Sequence, residues 1–133
     1  MPAAKHYEQT IVGVVGAGSF GTAISNLLAY NVDVLMYSRN RELVDAINRT
    51  HHNFGVKLST RIRATADLEE VAGRCPLIFP VVPSDSFRNM MRSLGPYLRP
   101  SHILIHATKG LEVGDFSDEA LTETSITRGQ VST

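Results

Sequence analysis

Three glycines stand in the run Val14-Val15-Gly16-Ala17-Gly18-Ser19-Phe20-Gly21-Thr22-Ala23 with the spacing G-x-G-x-x-G. Their chemistry is that of the backbone, because a residue without Cβ lets a neighbouring group come up against the main chain. In this spacing Gly16 permits a tight turn, Gly18 lets a ligand approach, and Gly21 lets the following helix pack closely on the preceding strand. The helix start adds N–H groups without intrahelical partners and the positive end of its dipole, which together hold an anion without a charged side chain. A dinucleotide's diphosphate suits such a turn, with the backbone N–H groups of Ser19 and Phe20 in reach of phosphate oxygens and the Phe20 ring placed to wall the cleft. A turn glycine-rich for packing alone is the alternative.

About 20 residues beyond Gly16, where such folds read the adenosine ribose with an acid for a 2′-hydroxyl or an arginine for a 2′-phosphate, the chain has Tyr37-Ser38-Arg39-Asn40. No acid is present in that stretch. The Arg39 guanidinium can fork onto phosphate oxygens and the Ser38 hydroxyl can donate beside it, so NADP(H) is expected to bind at least as well as NAD(H). The plain alternative for Arg39 is a solvated loop cation.

Other reactive residue types form no constellation. Cys75 is the single cysteine and lies in an apolar run, which excludes an internal disulfide and predicts a small buried hydrophobe. His51 and His52 are adjacent and point apart, while His102 and His106 have no recognisable partner, so no metal site is expected.

The glycine turn needs a strand before it and a helix after it. Residues 11–15 are β-branched and apolar, and the next segment puts Ile24, Leu27 and Leu28 at helical spacing. Further strands are expected at 32–37, 61–64, 77–82 and 103–107, with helices at 41–49 (Leu43, Val44, Ile47), 66–72, and after Pro83-Ser84, where Phe87, Met90, Met91 and Leu94 mark one face and Ser84 offers an N-cap. Residues 51–59 read as loop. Pro80 lacks an N–H and fits poorly inside a central strand. Alternating strands and helices predict an α/β, doubly wound (Rossmann), mostly parallel sheet of five strands with helices on both faces, spanning residues 1–112. Residues 113–133 are polar, read as an insertion or connection with one weak helix near 118–122, and no sixth strand is expected there.

Thirteen basic residues balance thirteen acidic ones in the 133, without the basic excess that drives binding to nucleic acid. No apolar run reaches the roughly 20 residues of a membrane span, and no secretory leader is evident. A cytoplasmic chain is the expectation.

Taken in order, Gly16-Ala17-Gly18-Ser19-Phe20-Gly21-Thr22-Ala23, Ser38-Arg39, Val82-Pro83-Ser84 and Ala107-Thr108-Lys109-Gly110-Leu111-Glu112 resemble bacterial NAD(P)-dependent glycerol-3-phosphate dehydrogenase, in its N-terminal nucleotide-binding part. The resemblance implies interconversion of sn-glycerol 3-phosphate and dihydroxyacetone phosphate by hydride transfer, in service of phospholipid synthesis. It implies that Ser19, Phe20 and Arg39 contact NADP or NAD and that Lys109 contacts both cofactor and substrate. An ammonium past the end of the fifth strand suits a phosphorylated small molecule, although a lysine capping a turn would look the same. Phe20 replaces the family's usual tryptophan. The family's helical substrate domain, with its general-base lysine, has no counterpart in these residues, so the expectation is a piece of a longer enzyme that contains no catalytic residue and is inactive alone. A homodimeric full-length enzyme is compatible with the resemblance. Two other readings stay open: another Rossmann hydroxyacid or keto-acid reductase, and a nucleotide-sensing module without chemistry.

Overall fold

Two apolar runs, β1 (Ile11–Val15) and β2 (Asp33–Tyr37), lie parallel, with Ile11 opposite Asp33 and Val15 opposite Tyr37. The computed structural model describes residues 10–106 and the backbone of 125–128. Both strands are buried through their centres, as strands covered on both faces must be. α1 (Ser19–Leu28) joins them, and α2 (Arg41–Thr50) leads through β3 (His52–Asn53) and β4 (Val56–Lys57) to β5 (Ile62–Thr65). Then follow α3 (Leu68–Arg74), β6 (Leu77–Pro80), α4 (Ser84–Leu94) with a 3-10 turn at Gly95–Tyr97, β7 (Ile103–His106) and β8 (Ser125–Arg128). The main sheet has the order β5-β2-β1-β6-β7-β8, in which β8 alone runs antiparallel. Five parallel strands with the chain reversing direction beside β1 is the dinucleotide-binding topology.

Each face of the sheet has its own apolar layer. Val14, Met36, Ile62 and Ala64 pack with Val44 and Ile47 under α1 and α2; Val15, Leu35, Ile78 and Leu104 pack with Val71, Met90 and Leu94 under α3 and α4. The expected α4 stripe is the observed one, Met90 and Leu94 buried and Phe87 and Met91 packed beside them. Cys75 is buried in this second layer, and desolvation pushes its thiol up to about 12, so it is an inert hydrophobe. His102, also buried, accepts the Arg99 N–H at Nδ1 (2.8 Å), which leaves the proton on Nε2 to donate to the Ala72 carbonyl (2.7 Å). That histidine is a structural brace between α3 and the turn before β7.

The structure corrects several expectations. A sixth strand exists: β8 pairs with β7 from Ile103↔Arg128 to His106↔Ser125. An edge strand is held by backbone hydrogen bonds on one side, so Ser125-Ile126-Thr127-Arg128 needs no apolar run to form it. The segment read as loop contains a hairpin, β3 with β4, turning at Phe54-Gly55 where both φ values are positive (55° and 70°). Two positive φ values suit a hairpin turn, but Phe is a poor sequence signal for one. Leu27 is 67% exposed, because α1 buries Gly21, Thr22 and Ser25 instead. Ser84 is the first residue of α4 rather than its cap; Pro83 holds the cap position and supplies no side-chain bond. Pro80 ends β6 opposite Val15, and the next N–H, from Val81, bonds back to Val15. Alternation along a strand then turns the Pro80 nitrogen toward β7, where pairing has already stopped at Ile78↔Leu104, so no hydrogen bond is lost. The expected helix at 118–122 lies outside the described residues.

Candidate functional site

β1 delivers the chain to the turn with its last residue buried, and the Gly16 N–H is spent on the Tyr37 carbonyl (3.1 Å). Gly16 has φ 131°, a conformation L side chains rarely adopt, and a Cβ there would stand 2.7 Å from the Val81 carbonyl oxygen. A Cβ on Gly21 would run into the Gly16 carbonyl oxygen, so these two glycines are dictated by turn and helix packing. Gly18 differs. Its φ of −79° and ψ of −169° are extended backbone open to any residue, and a Cβ there would meet nothing within 4 Å. Nothing inside the described residues requires glycine at 18, and the space where its side chain would stand is open.

Gly18 is also the N-cap of α1, which has no side-chain cap and no acidic residue in its first turn. By contrast Asn40 accepts from the Glu42 and Leu43 N–H groups at the start of α2, and Asp67 accepts from Glu69 at the start of α3. Asn40 and Asp67 thus satisfy some of the first-turn donors of α2 and α3, whereas no side chain caps α1, at whose start Gly18, Ser19 and Phe20 are exposed. The Thr22 N–H and hydroxyl both hold the Gly18 carbonyl, at 2.9 and 2.7 Å.

Beside the turn lies a cavity of about 300 Å³ at the carboxyl ends of β1, β2 and β6. Gly16, Ala17, Ser38 and Arg39 line one side, Val82 and Pro83 the other. A second hollow of about 430 Å³ adjoins it through Tyr37, Leu68 and Ser93 and extends to Arg41 and Asp67. Arg39 is exposed and has no ion-pair partner among the described residues. The Ser38 oxygen accepts the Asn40 N–H (3.1 Å), which orients the hydroxyl and leaves its proton to donate. Of the expected residues, Gly16, Ser38 and Arg39 line the cavity, and Gly18, Ser19, Phe20 and Gly21 carry the chain from Gly16 into α1, whereas Lys109 lies outside the described residues.

Sequence reasoning passed over three cleft residues on α4, Ser86, Asn89 and Ser93. Their i, i+3, i+7 spacing, next to the apolar stripe, was the signal available. It also passed over Asn53, which donates to the Ala17 carbonyl (3.0 Å) and the Thr22 hydroxyl (2.9 Å) across more than thirty residues; no local pattern announces that bond.

At the far end of β7, His106 meets the Phe87 ring at 4.8 Å between centroids. Burial lowers its pKa below the usual 6.5. The unfolded chain therefore takes up this proton first as the pH falls, so stability contributed here is present above 6.5 and declines below it. Glu70, lowered chiefly by the Thr65 hydroxyl bond, acts in a separate window: its contribution is present above 4.5 and lost as pH falls past it. We expect His106→Gln to flatten the decline in melting temperature between about pH 6.5 and 4.5 and to leave the limb below 4.5 in place, as read by thermal melts across that range.

The sequence matches the family described as NAD-dependent glycerol-3-phosphate dehydrogenase N-terminus over residues 11–129. It is 41% identical over 108 residues to a glycerol-3-phosphate dehydrogenase [NAD(P)+] of Carboxydothermus hydrogenoformans, covering 77% of this chain and 32% of that protein. To the protein so named from Exiguobacterium it is 45% identical over 106 residues, covering 76% and 31%. Among solved structures, the glycerol-3-phosphate dehydrogenase of Coxiella burnetii superposes with a TM-score of 0.70 at 25% identity, over 80% of this chain and 34% of that one. The chain thus spans about a third of the length of the curated relatives it matches.

Proposed function

Because the chain belongs to the NAD-dependent glycerol-3-phosphate dehydrogenase family, matching its N-terminal part, we propose that it binds NADP or NAD at the glycine turn for the interconversion of sn-glycerol 3-phosphate and dihydroxyacetone phosphate. The single observation that carries the reading is Gly18, a glycine whose missing side chain leaves open space on the solvent side of an uncapped helix. That space and those donors fit a diphosphate. When bound, the nicotinamide coenzyme supplies hydride to the substrate carbonyl carbon or takes it back.

The chain's own residues do the holding. Backbone N–H groups at Gly18 to Phe20 take the diphosphate, Gly16 and Gly21 keep the turn in shape, and Ser38 with Arg39 meets the adenosine ribose and any 2′-phosphate. Phe20, 39% exposed at the turn, walls the coenzyme. Lys109 reaches cofactor and phosphorylated substrate, an assignment resting on the family motif around it. No helix among the described residues is long and apolar enough to cross a membrane; a cytoplasmic setting and a dimeric full-length enzyme complete the proposal.

The experiment is an assay of the full gene product containing this sequence, following NADPH and NADH oxidation. Oxidation that depends on dihydroxyacetone phosphate and not on α-keto acids is the expected result. The opposite preference would move the chain to another reductase of the same fold.

A further inference from the structure

Asn53 is the residue that aims the phosphate-binding amides, we infer, although it sits buried in the β3–β4 hairpin and does not line the cavity. The inference rests on the diphosphate reading above and deepens it. Asn53 is 8% exposed, and its amide nitrogen donates to the Ala17 carbonyl at 3.0 Å and the Thr22 hydroxyl at 2.9 Å. The Thr22 hydroxyl in turn donates to the Gly18 carbonyl at 2.7 Å.

A trans peptide is planar, with its C=O and N–H pointing opposite ways; no cis bond occurs among the described residues. Holding the Ala17 oxygen inward therefore turns the Gly18 N–H outward. Holding the Gly18 oxygen inward does the same for the Ser19 N–H. The Asn53–Thr22 relay thus fixes the Ala17–Gly18 peptide plane and adds a second hold on the Gly18 carbonyl, which the Thr22 N–H also takes.

The hairpin has anchors besides Asn53. Asn26 of α1 anchors it, donating to the Lys57 carbonyl and accepting the Ser59 N–H, both at 3.0 Å. Leu58, 1% exposed, plugs it into the core. Asn26 and Asn53 both tie the hairpin down, but Asn53 alone of the two reaches the turn, and that contrast supplies the test.

Calorimetric titration of the 133-residue chain with NADH and with ADP-ribose, paired with thermal melts, is the experiment. Asn53→Ala and Asn53→Asp are expected to weaken both ligands about tenfold, the aspartate because it puts acceptors where both donors were. Asn26→Ala is expected to lower the melting temperature as much yet hold both affinities within about twofold. Thr22→Val keeps the shape of the side chain and covers the case in which Asn53→Ala does not fold; a loss of about threefold or more is expected. Asn53 variants that bind like the wild type, or an Asn26 variant that loses as much affinity as they do, would overturn the inference. A wild-type chain that ignores both ligands would instead strike the diphosphate reading itself, and this one with it.

Discussion

Gly18→Ser is expected to leave the free chain as stable as the wild type, or more stable by up to about 1 kcal/mol, while weakening NADH and NADPH by about a hundredfold. The two effects separate because position 18 does two jobs. As the N-cap of α1 it has extended backbone that serine adopts without strain, and a Cβ there touches nothing. Serine is among the preferred N-caps, since its oxygen accepts an N–H of the first turn. That same oxygen then takes a donor from the diphosphate and fills the approach. Losing charge-assisted bonds of about 1.5–3 kcal/mol each accounts for the size of the effect. Thermal melts and calorimetry on one preparation decide it. If the variant binds as tightly as the wild type, the glycine there is not kept open for a ligand.

Arg39→Asp is the second large expectation. Arg39 lines the cavity beyond the carboxyl end of β2 and is exposed, with no ion-pair partner among the described residues. A carboxylate in its place removes the forked donor for a 2′-phosphate, adds repulsion, and offers an acceptor to a 2′-hydroxyl. NADPH should weaken by about a hundredfold and NADH by less than about threefold. Parallel titrations with the two coenzymes read the ratio. Equal losses would remove Arg39 from the adenosine end of the site.

How much of this was legible in the sequence differs from element to element. β1, α2, β6 and α4 follow from strong local patterns, because a doubly covered strand must be apolar throughout and a helix on a sheet must repeat every three or four residues. α1 obeys a different demand: close approach to β1 selects Gly21, Thr22 and Ser25 for its buried face, so hydrophobic periodicity pointed to Leu27, which faces solvent. β8 and the β3–β4 hairpin are held by backbone pairing, which leaves little trace in side-chain type. Within the site, the glycine turn and the position of Arg39 at the cleft were readable because local sequence sets both. Asn53 was not, because its value comes from two bonds that exist only once residues far apart in the chain have met.

The central claim is that the amides at the mouth of α1 hold a dinucleotide's diphosphate. Amide-resolved NMR of the chain titrated with ADP-ribose tests it most directly. Saturating shifts at the Gly18 and Ser19 amides, with smaller ones beside Ser38 and Arg39 and the last turns of α2 and α3 nearly still, are the predicted result. Saturable binding that leaves those two amides unmoved, or no binding at all, would contradict it.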